Sequence, residues 1–181
     1  VAPSRYIAED IVDLIEVEYE TLPAYNDVED AMQPDATLIH EDLESNIYYA
    51  DAFSNGDVDK AFAEADLVVS EKIKTGRTSA APMETRGALA SYDAGSDLLT
   101  MWISAQDTHR PLTDLANVLE RPEDTIRIVV PDVGGAFGVK GALPPEAAVV
   151  AVAAMELGRP VKWTEDRLES FLATYQGRGM S

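Results

Sequence analysis

The stretch "PDVGGAFGVKG", Pro131 to Gly141, follows the apolar run "TIRIVV" and precedes "PPEAAVVAVAAMELG". A strand, a glycine loop and a helix in that order lay backbone amides against an anion or an oxygen-bearing group. A phosphate-gripping loop needs GxxxxGK[ST]; here Val139 separates Gly138 from Lys140 and Gly141 follows the lysine, so that pattern fails. A dinucleotide fingerprint needs GxGxxG opening into the helix, with an acid about 20 residues on. Here the glycines read GGxxG, Pro144 and Pro145 detach the loop from the helix, and Glu165 lies too far along. A turn that uses glycine only for positive φ stays open as a reading. Against it stands Phe137, a large ring on a loop with little side-chain cover, which wants something to pack on. Gln106 closes the run "LLTMWISAQ". Its side-chain amide can donate to an oxygen without changing charge, or it is an ordinary residue at a strand end.

Other chemistries are poorly served. There is no cysteine, so disulfides and thiolate-bound metals are excluded, and His40 and His109 lie too far apart to form a ligand pair by spacing. Acidic residues outnumber basic ones by 33 to 14, which argues against polyanionic partners such as nucleic acid or an anionic membrane. The acids are scattered, as in "EDIVDLIEVEYE" and "HEDLE", and read as a solvated surface. No segment reaches the roughly 20 consecutive apolar residues of a membrane span. A first residue Val1 and the ending "YQGRGMS", which lacks tail composition, suggest a piece of a longer protein.

The elements that must position the loop follow from periodicity. "SRYIAEDIVDLI" spaces Ile7, Ile11, Leu14 and Ile15 as a helix capped by Ser4. "EVEYE" alternates as a strand, and the segment to Asn55–Gly56 reads as loop with one helical turn. Asp57 caps a helix to Ala65, and "LVVSEKIKT" reads as a strand. "GALASYD" and "LLTMWISAQ" form a hairpin-like pair, and "RPLTDLANVLE" is an amphipathic helix with Leu112, Leu115 and Leu119 on one face. After the strand "TIRIVV" and the loop comes a helix opened by proline and closed by Gly158. The strand "RPVKW" follows, and then a helix capped by Thr164 with Glu165 and Asp166 in its first turn. Glu165, Asp166 and Arg167 read as helix entry and surface ion pairs; Met83 and Trp163 read as core. The order predicts mixed α and β layers, an α+β class with mixed sheets and packed helices.

Five ordered stretches, "GDVDKAFAEADLVV", "PMETRGALASYD", "LTMWISAQDTH", "VPDVGGAFGVKG" and "ELGRPVKWTEDRLESFLAT", together resemble the cofactor-binding large subunit of the molybdenum hydroxylases. These are the xanthine dehydrogenases, aldehyde oxidases and aerobic carbon monoxide dehydrogenases. "LIEVEYETLPAYNDVEDAM" and "IHEDLESNI" resemble the end of the family's α/β hammerhead domain. The resemblance implies that residues 1–52 end the hammerhead and 53–181 begin the molybdopterin-binding domain. It implies that Gln106, Gly135, Ala136, Phe137 and Gly138 bind the cofactor, with the Gly138 amide and neighbouring backbone donating to an oxygen ligand of the metal. Phe137 and Gly141 would border the substrate pocket, and no residue would ligate the metal directly.

Gly141 departs from purine-oxidising members, which carry a glutamate there that holds the heterocycle. Aldehydes, carbon monoxide or another small carbonyl or heterocycle are thus favoured over xanthine-like substrates, and the missing side chain leaves room for a bulkier aromatic one. The family's general base is a glutamate beyond Ser181, and none of Glu84, Glu146 or Glu165 matches it, so no catalytic residue is expected in this stretch. The implied cofactor is molybdopterin with molybdenum, in its cytosine dinucleotide form, with 2Fe-2S clusters and FAD on partner subunits or domains of an oligomeric cytoplasmic enzyme. The alternative is a truncated, non-catalytic module acting in binding or assembly. A nucleotide-binding domain would instead show saturable NAD binding, and none is expected.

Overall fold

The computed structural model describes residues 1–177. Its elements in chain order are α1 (Arg5–Val12), α2 (Val28–Ala31), α3 (Val58–Ala63), β1 (Thr78–Ser79), β2 (Gly87–Asp93) and β3 (Leu98–Ile103). They continue with α4 (His109–Leu119), β4 (Ile126–Val129), α5 (Pro145–Leu157), β5 (Val161–Thr164), α6 (Arg167–Ala173) and β6 (Gln176–Gly177). Two compact units result, one of residues 1–16 with 78–177 and one of residues 17–77.

In the first unit a four-stranded sheet has the order β4-β3-β2-β5. β2 pairs antiparallel with both β3 and β5, whereas β3 and β4 run parallel, so the sheet is mixed as the element order predicts. Alternation along the strands sends Ala88, Ala90, Leu99, Met101, Ile103 and Val161 to one face, where they are buried. α4 and α5 join them in one core. Ala147, Val150, Ala151 and Ala154 form the inward stripe of α5, and their small side chains bring that helix close to β2. Leu115 of α4 is fully buried. Gly158 ends α5 in the left-handed conformation, φ 59°, as its place after the last apolar residue predicts. β1 and β6 form a separate two-stranded antiparallel ribbon.

This pairing pattern collects particular segments at one end of the sheet. Parallel β3 and β4 both leave there, sending out Ser104–Gln106 and the loop from Val130. Antiparallel β2 begins there, with Gly87 opposite Thr164, the last residue of β5. Residues 84–86, 104–106, 130–141 and 165 are therefore neighbours by topology alone.

Several sequence expectations need correction. Residues 16–20 are not a strand, and of 67–75 only Thr75 makes an isolated bridge. Both stretches alternate well enough, but every residue in them is exposed, so no buried face rewards the pairing. Thr164 is not the cap of α6. Asp166 is: it accepts from Glu169 N–H at 2.7 Å, and its own N–H donates to the Glu169 side chain at 3.4 Å, a capping box. Glu165 is no surface acid, since its side chain is fully buried against Arg86. Met83, expected in the core, is 92% exposed, whereas Trp163 does pack on the core. β3 ends at Ile103, so Gln106 sits on the following loop rather than on the strand.

Residues 17–77 are held mainly by polar contacts. Asp27 caps α2 and accepts from Lys74 at 3.3 Å, and Lys72 pairs with Glu29. Asn46 accepts from Ile39 N–H at 2.8 Å and donates to the Ala31 and Thr37 carbonyls at 2.9 and 3.0 Å. None of these residues is buried, while Tyr48, Tyr49 and Phe53 are mostly exposed.

Candidate functional site

The loop after β4 is built from unusual backbone. Gly135 has φ 95°, Phe137 53° and Gly138 100°, three left-handed residues within four. A phenylalanine in that region costs on the order of 1 kcal/mol or more and persists only where its surroundings over-determine it. The contacts that hold it are countable. Val139 N–H donates to the Ala136 carbonyl at 3.1 Å, and Gly141 N–H to the Gly138 carbonyl at 3.2 Å. Val139 and Lys140 are buried, which drives Phe137 and Gly138 outward, and Phe137 is 75% exposed. Its ring leans back over Gly135, where an added Cβ would meet Phe137 Cε2 at 3.1 Å and Pro82 Cβ at 3.3 Å.

Gln106 is joined to this loop on both its backbone and its side chain. Its N–H donates to the Lys140 carbonyl at 3.0 Å. Its Oε1 accepts from Gly138 N–H at 2.8 Å and from Lys140 N–H at 3.3 Å. Two backbone donors on one oxygen decide which way the amide is turned. The Nε2 end is left as the donor, with no partner among the described residues, on an exposed residue beside Phe137. Two segments about thirty residues apart in sequence thus meet. The Gly138 N–H, expected to donate to a metal's oxygen ligand, is turned to Gln106.

Beneath the loop lies an ion pair. Lys140 Nζ reaches Glu84 Oε2 at 2.7 Å with its side chain fully buried. The same oxygen accepts from Ser104 Oγ at 2.7 Å and from Gly134 N–H at 2.9 Å. Burial raises the Glu84 carboxyl pKa, but the bonds from Lys140, Ser104 and Gly134 outweigh it and hold the group below its ordinary value of 4.5.

A second pair braces the same sheet end. Glu165 Oε2 accepts from Arg86 N–H at 2.9 Å and Oε1 from Arg86 Nε at 2.8 Å; the Arg86 guanidinium also lies 5.5 Å from the Trp163 ring. Burial lowers the Arg86 pKa, but the Glu165 partner more than reverses this and keeps it raised. Neither pair is readable from sequence, because the partners stand 56 and 79 residues apart. The one local signal is Lys140, a charge set among small and apolar residues.

Among the described residues no group of three acidic, histidine or cysteine side chains could hold a metal ion. No described helix is long and apolar enough to cross a membrane. The loop offers neutral amide donors and a glycine-rich backbone, a donor set that suits the oxygens of an organic cofactor rather than direct ligation of an ion.

The family model for the molybdopterin cofactor-binding domain matches residues 39–181. The chain belongs to this family. Within the molybdopterin cofactor-binding domain family its relatives are oxidoreductase subunits. It is 37% identical over 187 residues to the carbon monoxide dehydrogenase large chain of Hydrogenophaga pseudoflava, covering 96% of this chain and 23% of that one. It is 40% identical over 173 residues to the nicotine 6-hydroxylase large subunit of Paenarthrobacter nicotinovorans, covering 96% and 21%. The crystal structure of quinoline 2-oxidoreductase from Pseudomonas putida 86 superposes with a TM-score of 0.89 at 40% identity, over 98% of this chain and 22% of that one. The chain therefore spans under a quarter of the length of these relatives. The mixed α and β fold is that of the molybdenum hydroxylase large subunits, as the resemblance implies.

Proposed function

We propose that this molybdopterin-binding chain forms one wall of the active site in a larger molybdenum hydroxylase subunit. In this reading Gln106, Gly135, Ala136, Phe137 and Gly138 bind the cofactor, and Phe137 and Gly141 border the substrate. The observation that carries it is the Gln106–loop junction, where the Gly138 and Lys140 N–H groups on Oε1 leave Nε2 as the outward donor. A neutral donor of fixed orientation can bind a cofactor oxygen with no reorganisation and no change of charge. Phe137, whose ring is exposed, would exclude water on one side. When bound, molybdopterin with molybdenum supplies the redox chemistry that hydroxylates a substrate with water as oxygen source.

The substrate class we favour is an aldehyde, carbon monoxide or a heterocycle other than a purine. Gly141 offers no carboxylate to hold a purine; an added Cβ there would stand 3.3 Å from the Gly138 carbonyl and in ordinary contact, 3.8 Å, with Gln106 Oε1. The cytosine dinucleotide form of the cofactor, 2Fe-2S and FAD partners, an oligomeric assembly and a cytoplasmic location belong to the same proposal. So does the division into a hammerhead end, 1–52, and the start of the cofactor-binding domain, 53–181. The general base would be a glutamate outside these residues.

Metal analysis of the natural protein tests this. The expected result is a complex that holds molybdenum and iron, with this sequence in a subunit several times larger than 19.6 kDa. A natural species of about this chain's own mass, free of molybdenum, would favour a non-catalytic module instead.

A further inference from the structure

Glu84 occupies a position that the cofactor-binding role of the loop does not by itself require. Its single Oε2 atom receives three donors from three separate places. They are Ser104 Oγ after β3, Gly134 N–H at the start of the loop, and Lys140 Nζ at its end. Its backbone N–H also donates to the Gly134 carbonyl at 3.1 Å, and the two residues press so closely that a Cβ on Gly134 would lie 2.6 Å from Glu84 Cβ. Lys140 then transmits the constraint. Its ammonium is sealed against Glu84, while its N–H and carbonyl both grip Gln106. Glu84 thereby fixes both ends of the segment 134–140, whose middle holds the left-handed Phe137 and Gly138.

We infer that Glu84 is a positioning residue, which sets the Gly134–Lys140 loop and, through Lys140, the orientation of the Gln106 side-chain amide. This rests on the reading that Gln106 and the loop meet the cofactor. A one-point ion pair would suffice to neutralise a buried lysine. A carboxylate that also holds the opposite end of the loop and the residue that leaves β3 does more, since it ties the intervening backbone at both ends.

The test uses the full-length subunit in its natural complex, with Lys140→Met, Glu84→Leu and the double variant. Lys140→Met keeps the buried apolar volume and leaves only a half-exposed carboxylate, which water can reach, so it is expected to fold. Deuterium uptake by the peptide covering 131–141 should quicken roughly tenfold or more in each variant that folds, the factor carried by one lost charge-assisted hydrogen bond. Glu84→Leu alone leaves the lysine ammonium buried and unpaired and should lower Tm; the double variant should regain much of it. A positioning role predicts that the double regains Tm without regaining slow exchange, and that kcat per molybdenum stays roughly tenfold or more down. Wild-type exchange in Lys140→Met overturns the inference. So does a double variant that regains Tm, exchange protection and kcat together, which is what a merely structural pair would do. If the wild-type complex holds no molybdenum, the functional reading fails, yet the exchange comparison still decides the role of Glu84.

Discussion

Glu84 carries three donors on one oxygen, and that has a consequence in pH. Its folded pKa is lowered: burial pushes it up, and the Lys140, Ser104 and Gly134 bonds push it down further. A depressed carboxyl contributes stability that is fully present above its unfolded value and lost as pH falls through its folded one. Exchange of the 131–141 peptide, corrected for intrinsic rate, should therefore be level from neutral pH down to about 4.5 and rise only below it. Loosening of that peptide already between pH 7 and 5 would show that the clamp does not depend on Glu84. Residue identity at Gly134 obeys the same clamp. There is no room for a Cβ beside Glu84, whereas Gly138 has open space and needs glycine only for its φ of 100°.

At the scale of elements, the site depends on strand direction. Because β3 and β4 run parallel, Gln106 and the glycine loop emerge together, and because β2 opposes β3, Glu84 begins at that same end. Arg86 and Glu165 fasten β2 to the end of β5 there, with side-chain exposures of 9% and 0%. Arg86→Met would strand a fully buried carboxylate and should destabilise the fold by about 3–5 kcal/mol. Adding Glu165→Met should restore much of this, read as denaturant midpoints at constant m. A loss below about 1 kcal/mol for Arg86→Met would mean that the pair is solvated in solution.

The main elements of this unit were legible in the sequence. Gly158, the proline-opened α5 and the alternation of β2 and β3 all mark their elements locally. The cap of α6 is ambiguous in sequence, because Thr164 and Asp166 are both good caps and only the buried use of Glu165 by Arg86 decides between them. The junction of Gln106 with the loop was legible only through resemblance, since thirty-two residues of sequence say nothing about which oxygen a glutamine offers.

For the whole molecule, burial is uneven. The core belongs to residues 78–177, whereas 17–77 buries no residue and exposes Tyr19, Leu22, Tyr48, Tyr49 and Phe53. Its two predicted strands fail for that reason, as alternation without a face to cover earns no pairing. A chain spanning under a quarter of its relatives' length, with apolar surface on this scale, fits a part of the larger subunit. Whether the outward amide of Gln106 meets the cofactor is decided in that full-length complex. The measurement is kcat of Gln106→Ala divided by its molybdenum content. The expected result is a fall of roughly a hundredfold, the cost of one preorganised donor to a reacting centre, with wild-type secondary structure. Turnover per molybdenum equal to wild type would contradict it.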